Sequence, residues 1–181
     1  QPWEEGFCEG LVNSAYFVCL LSEGAINHPT KKWQNFSQLE ATSKCDNVLL
    51  EWLLAIACYS EPVLSSLSAV RVRKVLPVLV GDRQQQQSSS GGVDGWFISN
   101  LFQSEAAKAI RQSTVCPEAT IRKAKELLSL SAVCGLSTAA VSQLFSGWTV
   151  KSVFEKLTSF NGLLTWEIPE HHDVKHVIEA I

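Results

Sequence analysis

The stretch from residue 43 to residue 58 constrains the fold most, because it is apolar on nearly every side of a helix. Its central run, Val48-Leu-Leu-Glu-Trp-Leu-Leu-Ala-Ile-Ala-Cys58, contains a single charged residue, Glu51. A helix that is apolar all round is buried in the interior of a protein. Asp46 or Asn47 is expected to begin this helix, because a side-chain oxygen there accepts hydrogen bonds from backbone amides that are otherwise unpaired.

Glu51 lies about one turn from the predicted start of this helix, and two interpretations of it are open. An unpaired carboxylate is costly to bury, so Glu51 either faces a cleft or has a partner. In the simpler interpretation, it is an acidic residue that the helix dipole favours near a helix start, with no chemical role. The residue type alone does not separate the two.

Two further apolar runs have the length of β-strands, residues 16–21 and 75–80. Continuous apolar runs of this kind are expected of strands that are buried on both faces of a parallel sheet. Before the first run, apolar residues recur at helical spacing over 3–12. After it, residues 22–44 form a long polar connection that leaves the carboxyl end of the strand, where ligands bind in open α/β sheets. Pro77 argues against a central position for the second strand, because proline has no N–H for the ladder.

The second half of the chain is predicted to be mostly helical. Residues 83–95 belong to a glutamine-, serine- and glycine-rich segment with little to bury, and we expect this loop to be disordered. An amphipathic helix is predicted after Pro117. Beyond Gly135 we expect short helices over 138–145, 150–160 and 174–181.

These segments together resemble part of a TIR domain. The run from Phe7 to Ile26, the run from Cys45 to Glu51 and the run from Arg73 to Asp82 are similar to the second half of that domain. The resemblance covers residues 1–134 and implies a partial flavodoxin-like parallel sheet flanked by helices. Residues 135–181 are then a C-terminal helical extension.

The resemblance also implies that the first strand, first helix and second strand of the domain precede this chain. The chain has no methionine, and we interpret it as a fragment of a longer protein. In the flavodoxin-like order, the missing first strand would pair with the strand at 16–21. That strand is therefore expected to have an unpaired apolar edge, which predicts a chain that forms oligomers or aggregates.

Two functions follow from the resemblance. The first is a signalling module that acts in signal transduction through association with other TIR domains, either as a homo-oligomer or with heterotypic partners. The alternative is an NAD⁺ hydrolase, inactive as this fragment. In the members that hydrolyse NAD⁺, a glutamate early in the corresponding helix is catalytic, and Glu51 is the matching position.

In the hydrolase alternative, NAD⁺ is the substrate and the resemblance implies no cofactor or metal. Breaking the nicotinamide bond develops positive charge on the ribose, which a nearby carboxylate stabilises. The resemblance implies that Ser22, Glu23 and Trp3 bind the substrate beside the catalytic Glu51. The family contains both kinds of protein, and the sequence does not choose between them.

The composition and the cysteine and histidine spacing argue against several other classes of protein. The 181 residues carry a net charge of −3 with no basic patch, which argues against nucleic-acid binding. No apolar run reaches membrane-spanning length. The six cysteines are widely scattered, which predicts a reducing, cytoplasmic location. His172 and His176 have the spacing of zinc ligands on a helix, but we interpret them as part of a polar helix start and predict no metal site.

Overall fold

The computed structural model describes most of the chain as a mixed α/β structure, in which a parallel sheet is flanked by helices. The described residues are 2–28, 30–31, 35–81, 83–87, 93–98, 104–130, 133–160 and 163–166. They form eight α-helices, one short 3₁₀ helix and five β-strands. The mixed α/β class and the parallel sheet expected from the sequence are confirmed.

The elements follow one another in the order predicted for the first half of the chain. The helices are α1 (Trp3–Asn13), α2 (Glu23–Ile26), α3 (Asn47–Ser60), α4 (Pro62–Ser65), α5 (Glu105–Ile110), α6 (Glu118–Ser129), α7 (Thr138–Gln143) and α8 (Val150–Ser159). The strands are β1 (Tyr16–Leu21), β2 (Lys74–Gly81), β3 (Arg83–Gln87), β4 (Val93–Ile98) and β5 (Leu163–Trp166). A 3₁₀ turn, Phe36–Gln38, lies in the long connection between α2 and α3.

The parallel sheet has the order β1-β2-β5. Strands β1 and β2 are paired along the full length of β1, from Tyr16 opposite Lys74 to Leu21 opposite Leu79. The two apolar runs predicted to be strands are therefore neighbours. Strand β5 was not expected, because we predicted helices throughout the C-terminal extension.

Pro77 lies in the middle strand of this sheet, contrary to the sequence-based argument. Strand β5 pairs with β2 only from Val78 onward, so Pro77 lies before that ladder begins. The missing N–H of Pro77 therefore costs no bond to β5, in line with the tolerance of proline where pairing ends.

Two parts of the segment predicted to be disordered, residues 83–87 and 93–95, instead belong to the antiparallel pair of strands β3 and β4, whereas residues 88–92 lie outside the described part of the chain. Backbone hydrogen bonds between antiparallel strands do not depend on apolar side chains, so a glutamine-rich strand can pair. The partner strand, β4, contains two residues of types with high strand propensity, Trp96 and Phe97.

Helix α3 is the centre of the apolar core. Residues 52–58 of this helix are all buried, as its sequence predicts. The neighbouring helices α1, α4, α6 and α8 contact it. The ring of Trp52 packs edge-on against Phe36 with the centroids 5.1 Å apart, which holds the long connection against the helix. Burial on this scale fixes the position of every residue on α3, Glu51 included.

Strand β1 presents two different faces. Cys19 and Leu21 point into the core and are buried. The alternate residues Tyr16, Val18 and Leu20 are 43%, 36% and 60% exposed. Within the described residues, β1 pairs with β2 and with no second strand. Its outer edge and one of its faces are thus apolar and uncovered in this part of the chain.

Helix α8 lies in the same core as α3. Val150, Val153, Phe154 and Leu157 are almost completely buried in it, on the one face that the sequence predicted. The predicted helices at 138–145 and 150–160 are present as α7 and α8, and the third, at 174–181, falls outside the described residues. The domain boundary at residue 134 stays a prediction, although α8 packs with the elements before it.

Candidate functional site

The N-terminus of α3 positions the candidate carboxylate. Asp46 is the N-cap residue, and its Oδ1 atom accepts a hydrogen bond from the Leu49 N–H at 2.8 Å. This places Glu51 in the second turn, where it is half-buried. Among the described residues, the Glu51 side chain has no hydrogen-bond or ion-pair partner. Burial, with a smaller contribution from the charge of Asp46, raises the pKa of the Glu51 carboxyl.

Glu51 lies close enough to Cys19 of β1 for the two groups to interact. Burial, and then the charge of Glu51, raise the pKa of the Cys19 thiol. The carboxylate therefore lies near the carboxyl-terminal half of the first strand of the sheet. A carboxylate without a cationic partner, with a raised pKa, is suited to exchange a proton or to stabilise a developing positive charge.

Of the three predicted substrate-binding residues, Ser22 and Glu23 directly follow the carboxyl end of β1 and Trp3 begins α1, and each has a simple local role. Ser22 caps α2, where its Oγ atom accepts a hydrogen bond from the Ala25 N–H at 3.1 Å. Glu23 is exposed in the first turn of α2. Trp3 is 48% exposed and its ring centroid is 6.4 Å from that of Phe7. No hydrogen bond or ion pair of the described residues joins these three side chains to Glu51.

The described residues form two cavities among the helices, and Glu51 lines neither of these two. The first, of about 520 Å³, lies between α6 and α7 with Ile121 and Val141 in its wall. The second, of about 460 Å³, lies between α1, the start of α3 and α6, and Lys44 and Lys123 line it. Sequence reasoning missed both, because their walls combine residues that are far apart in the chain.

The described part of the chain contains no cluster of three or more histidine, cysteine or acidic side chains that could hold a metal ion. The pair His172 and His176 lies outside that part. All six cysteines are free thiols. No helix among the described residues is both long enough and apolar enough to cross a membrane.

Comparison of the chain with models of known protein families, with curated proteins and with solved structures finds no match. A functional assignment therefore depends on the motifs in the sequence and on the surfaces described above.

Proposed function

We propose that this chain contains the second half of a TIR-like signalling module with a partial flavodoxin-like sheet, which acts in the cytoplasm by association with other TIR domains, including copies of itself. The observation that carries this proposal is the uncovered side of β1. Its six residues, Tyr-Phe-Val-Cys-Leu-Leu, contain no charge and no proline, the two features that usually protect an edge strand. Parallel sheets are normally covered on both faces, so we expect a partner to cover this surface.

Leu20 is the residue that offers the sharpest test, because it is the most exposed large apolar side chain of β1, at 60%. We expect the chain to form oligomers in a concentration-dependent manner, and Leu20→Lys to shift it toward the monomer. Lysine on an exposed edge strand opposes pairing with another strand. Val63→Lys is the matched control, because Val63 is an exposed apolar residue on α4, away from β1.

Light scattering with size-exclusion chromatography measures the outcome. A wild-type chain that stays monomeric across the accessible concentration range, with a cooperative thermal transition, would contradict self-association. So would equal effects of Leu20→Lys and Val63→Lys, because these would show that the location of the charge does not matter.

The second candidate function is NAD⁺ hydrolysis, with Glu51 as the catalytic carboxylate. It is favoured by the half-buried position of Glu51 beside Cys19, by its lack of a described partner and by its raised pKa. Groups with perturbed pKa values are enriched at functional sites, although structural positions also produce them. Ser22, Glu23 and Trp3 are the proposed contacts to the substrate.

The test of this alternative is release of nicotinamide from NAD⁺ by the longer parent domain, compared with its Glu51→Ala variant, at concentrations where it oligomerises. Turnover that disappears in the variant supports the hydrolase. Absence of turnover in both proteins, while self-association persists, leaves the signalling module as the function.

A further inference from the structure

The cavity between α1, the start of α3 and α6 brings three basic side chains together. Lys44 approaches from the connection before α3, and Arg122 and Lys123 approach from α6. Asn47, the first residue of α3, adds a side-chain amide to the wall. Its volume of about 460 Å³ is within the range of small-molecule sites.

Positive charge is in excess in this cavity, although two glutamates also line it. Glu126 is the nearest partner of Arg122, with 3.8 Å between Oε1 and Nε. Lys44 and Lys123 have no ion-pair partner among the described residues, and Glu4 is the remaining acidic group of the wall. Two ammonium groups thus face one carboxylate, so the cavity favours an anionic ligand.

The walls of this cavity are held in place by contacts that do not involve the basic side chains. The connection before α3 is joined to α6 by two hydrogen bonds. The Glu118 N–H donates to the Ala41 carbonyl at 2.9 Å, and the Asp46 N–H donates to Thr120 Oγ1 at 3.3 Å. The backbone positions of Lys44 and Lys123 are therefore fixed relative to each other before any ligand binds.

We propose that this cavity binds the diphosphate group of a soluble small molecule, such as a nucleoside diphosphate. Lysine ammonium groups bind phosphate oxygens as point charges, and two of them on opposite walls suit a group with two phosphates. The cavity is larger than one phosphate requires. The proposal goes beyond the proposed function, because it needs neither self-association through β1 nor chemistry at Glu51.

The experiment is titration of the whole chain with inorganic pyrophosphate and with ADP, followed by calorimetry and by backbone amide NMR. Binding is expected to shift the amide signals of Cys45, Asn47 and Lys123. Lys44→Gln combined with Lys123→Gln is expected to weaken the binding of both ligands at least about tenfold, because each substitution removes one charge-assisted contact. Both lysines have exposed or half-exposed side chains, so the variant is expected to fold.

The control combines Lys108→Gln with Lys156→Gln, which removes the same charge from exposed positions on α5 and α8. It is expected to leave both affinities unchanged. Failure of pyrophosphate and ADP to bind at millimolar concentration would overturn the proposal. An equal loss of affinity in the control variant would also overturn it. Binding to vesicles that contain a phosphoinositide, without binding of either free probe, would also overturn the proposal. That result would show that the basic residues bind a membrane surface and not a soluble ligand.

Discussion

The carboxylate of Asp46 accepts a hydrogen bond from the backbone N–H of Leu49 at 2.8 Å, and this bond sets where α3 begins. The backbone N–H of Asp46 donates in turn to the buried hydroxyl of Thr120 on α6. Asp46 therefore both caps the central helix and contributes one of the hydrogen bonds that join its start to α6. The candidate carboxylate and the basic cavity both depend on this junction, because Glu51 follows it by five residues and Lys44 precedes it by two.

Replacing Asp46 with alanine is expected to lower the free energy of unfolding by about 1 kcal/mol, because the cap is lost. Asp46→Asn keeps an oxygen at the same position, and asparagine caps helices about as well as aspartate, so its stability should remain close to that of the wild type. Urea denaturation followed by circular dichroism measures both. Equal losses in the two variants would show that the charge of Asp46, rather than its cap, stabilises α3.

Glu51→Gln is expected to make the chain slightly more stable than the wild type at pH 7. Burial raises the pKa of Glu51 in the folded state above its ordinary value of 4.5, so the folded state binds the proton more tightly than the unfolded state. The resulting stability is present below pH 4.5 and is lost as pH rises through the folded-state pKa. The difference in stability between the Glu51→Gln variant and the wild type should therefore vanish on acidification.

The size of this effect should stay below about 1 kcal/mol, because solvent screens a half-exposed carboxylate. Melting temperatures of both proteins between pH 4 and pH 7 provide the measurement, and the contribution of Asp46 cancels because both proteins contain it. A glutamine variant that is less stable at pH 7 would reveal a favourable partner for the ionised carboxylate.

The features predicted correctly from the sequence are those with local signals. Strand β1 and helix α3 are long apolar runs, and the cap at Asp46 is a single residue type at a helix start. Strand β5 is four residues long, and its assignment depends on pairing with β2, a partner more than eighty positions earlier. The basic cavity depends on Lys44 and Lys123, which folding alone brings together. Such long-range contacts leave no periodic pattern in the sequence.

Phe154 on α8 tests whether the C-terminal extension folds as part of the main core. Its side chain is completely buried. Phe154→Ala is expected to cost about 3–5 kcal/mol, the usual loss for a large core aromatic residue. Lys156→Ala, on the exposed side of the same helix, should change stability little. A single denaturation transition at lower denaturant indicates one cooperative unit, whereas an unchanged main transition would support a boundary at residue 134.

The cysteines provide a test of the core that does not depend on function. Cys45 and Cys134 are half-buried, whereas the other four thiols are buried. Burial raises the pKa of Cys8 and Cys116 to about 12, and that of Cys134 to about 11. Burial also raises the pKa of Cys45, and a hydrogen bond to Thr120 and the charge of Lys123 partly offset this rise.

An alkylating reagent is therefore expected to label Cys45 and Cys134 first in the native chain, and faster as pH rises, because the thiolate is the reactive form. Mass spectrometry after partial labelling identifies the sites, and denatured protein should react at all six. The double variant Cys45→Ser with Cys134→Ser should lose nearly all native labelling. Equally fast reaction at Cys19 or Cys58 would contradict the structure, because both thiols are buried in the core and become accessible only if the core opens.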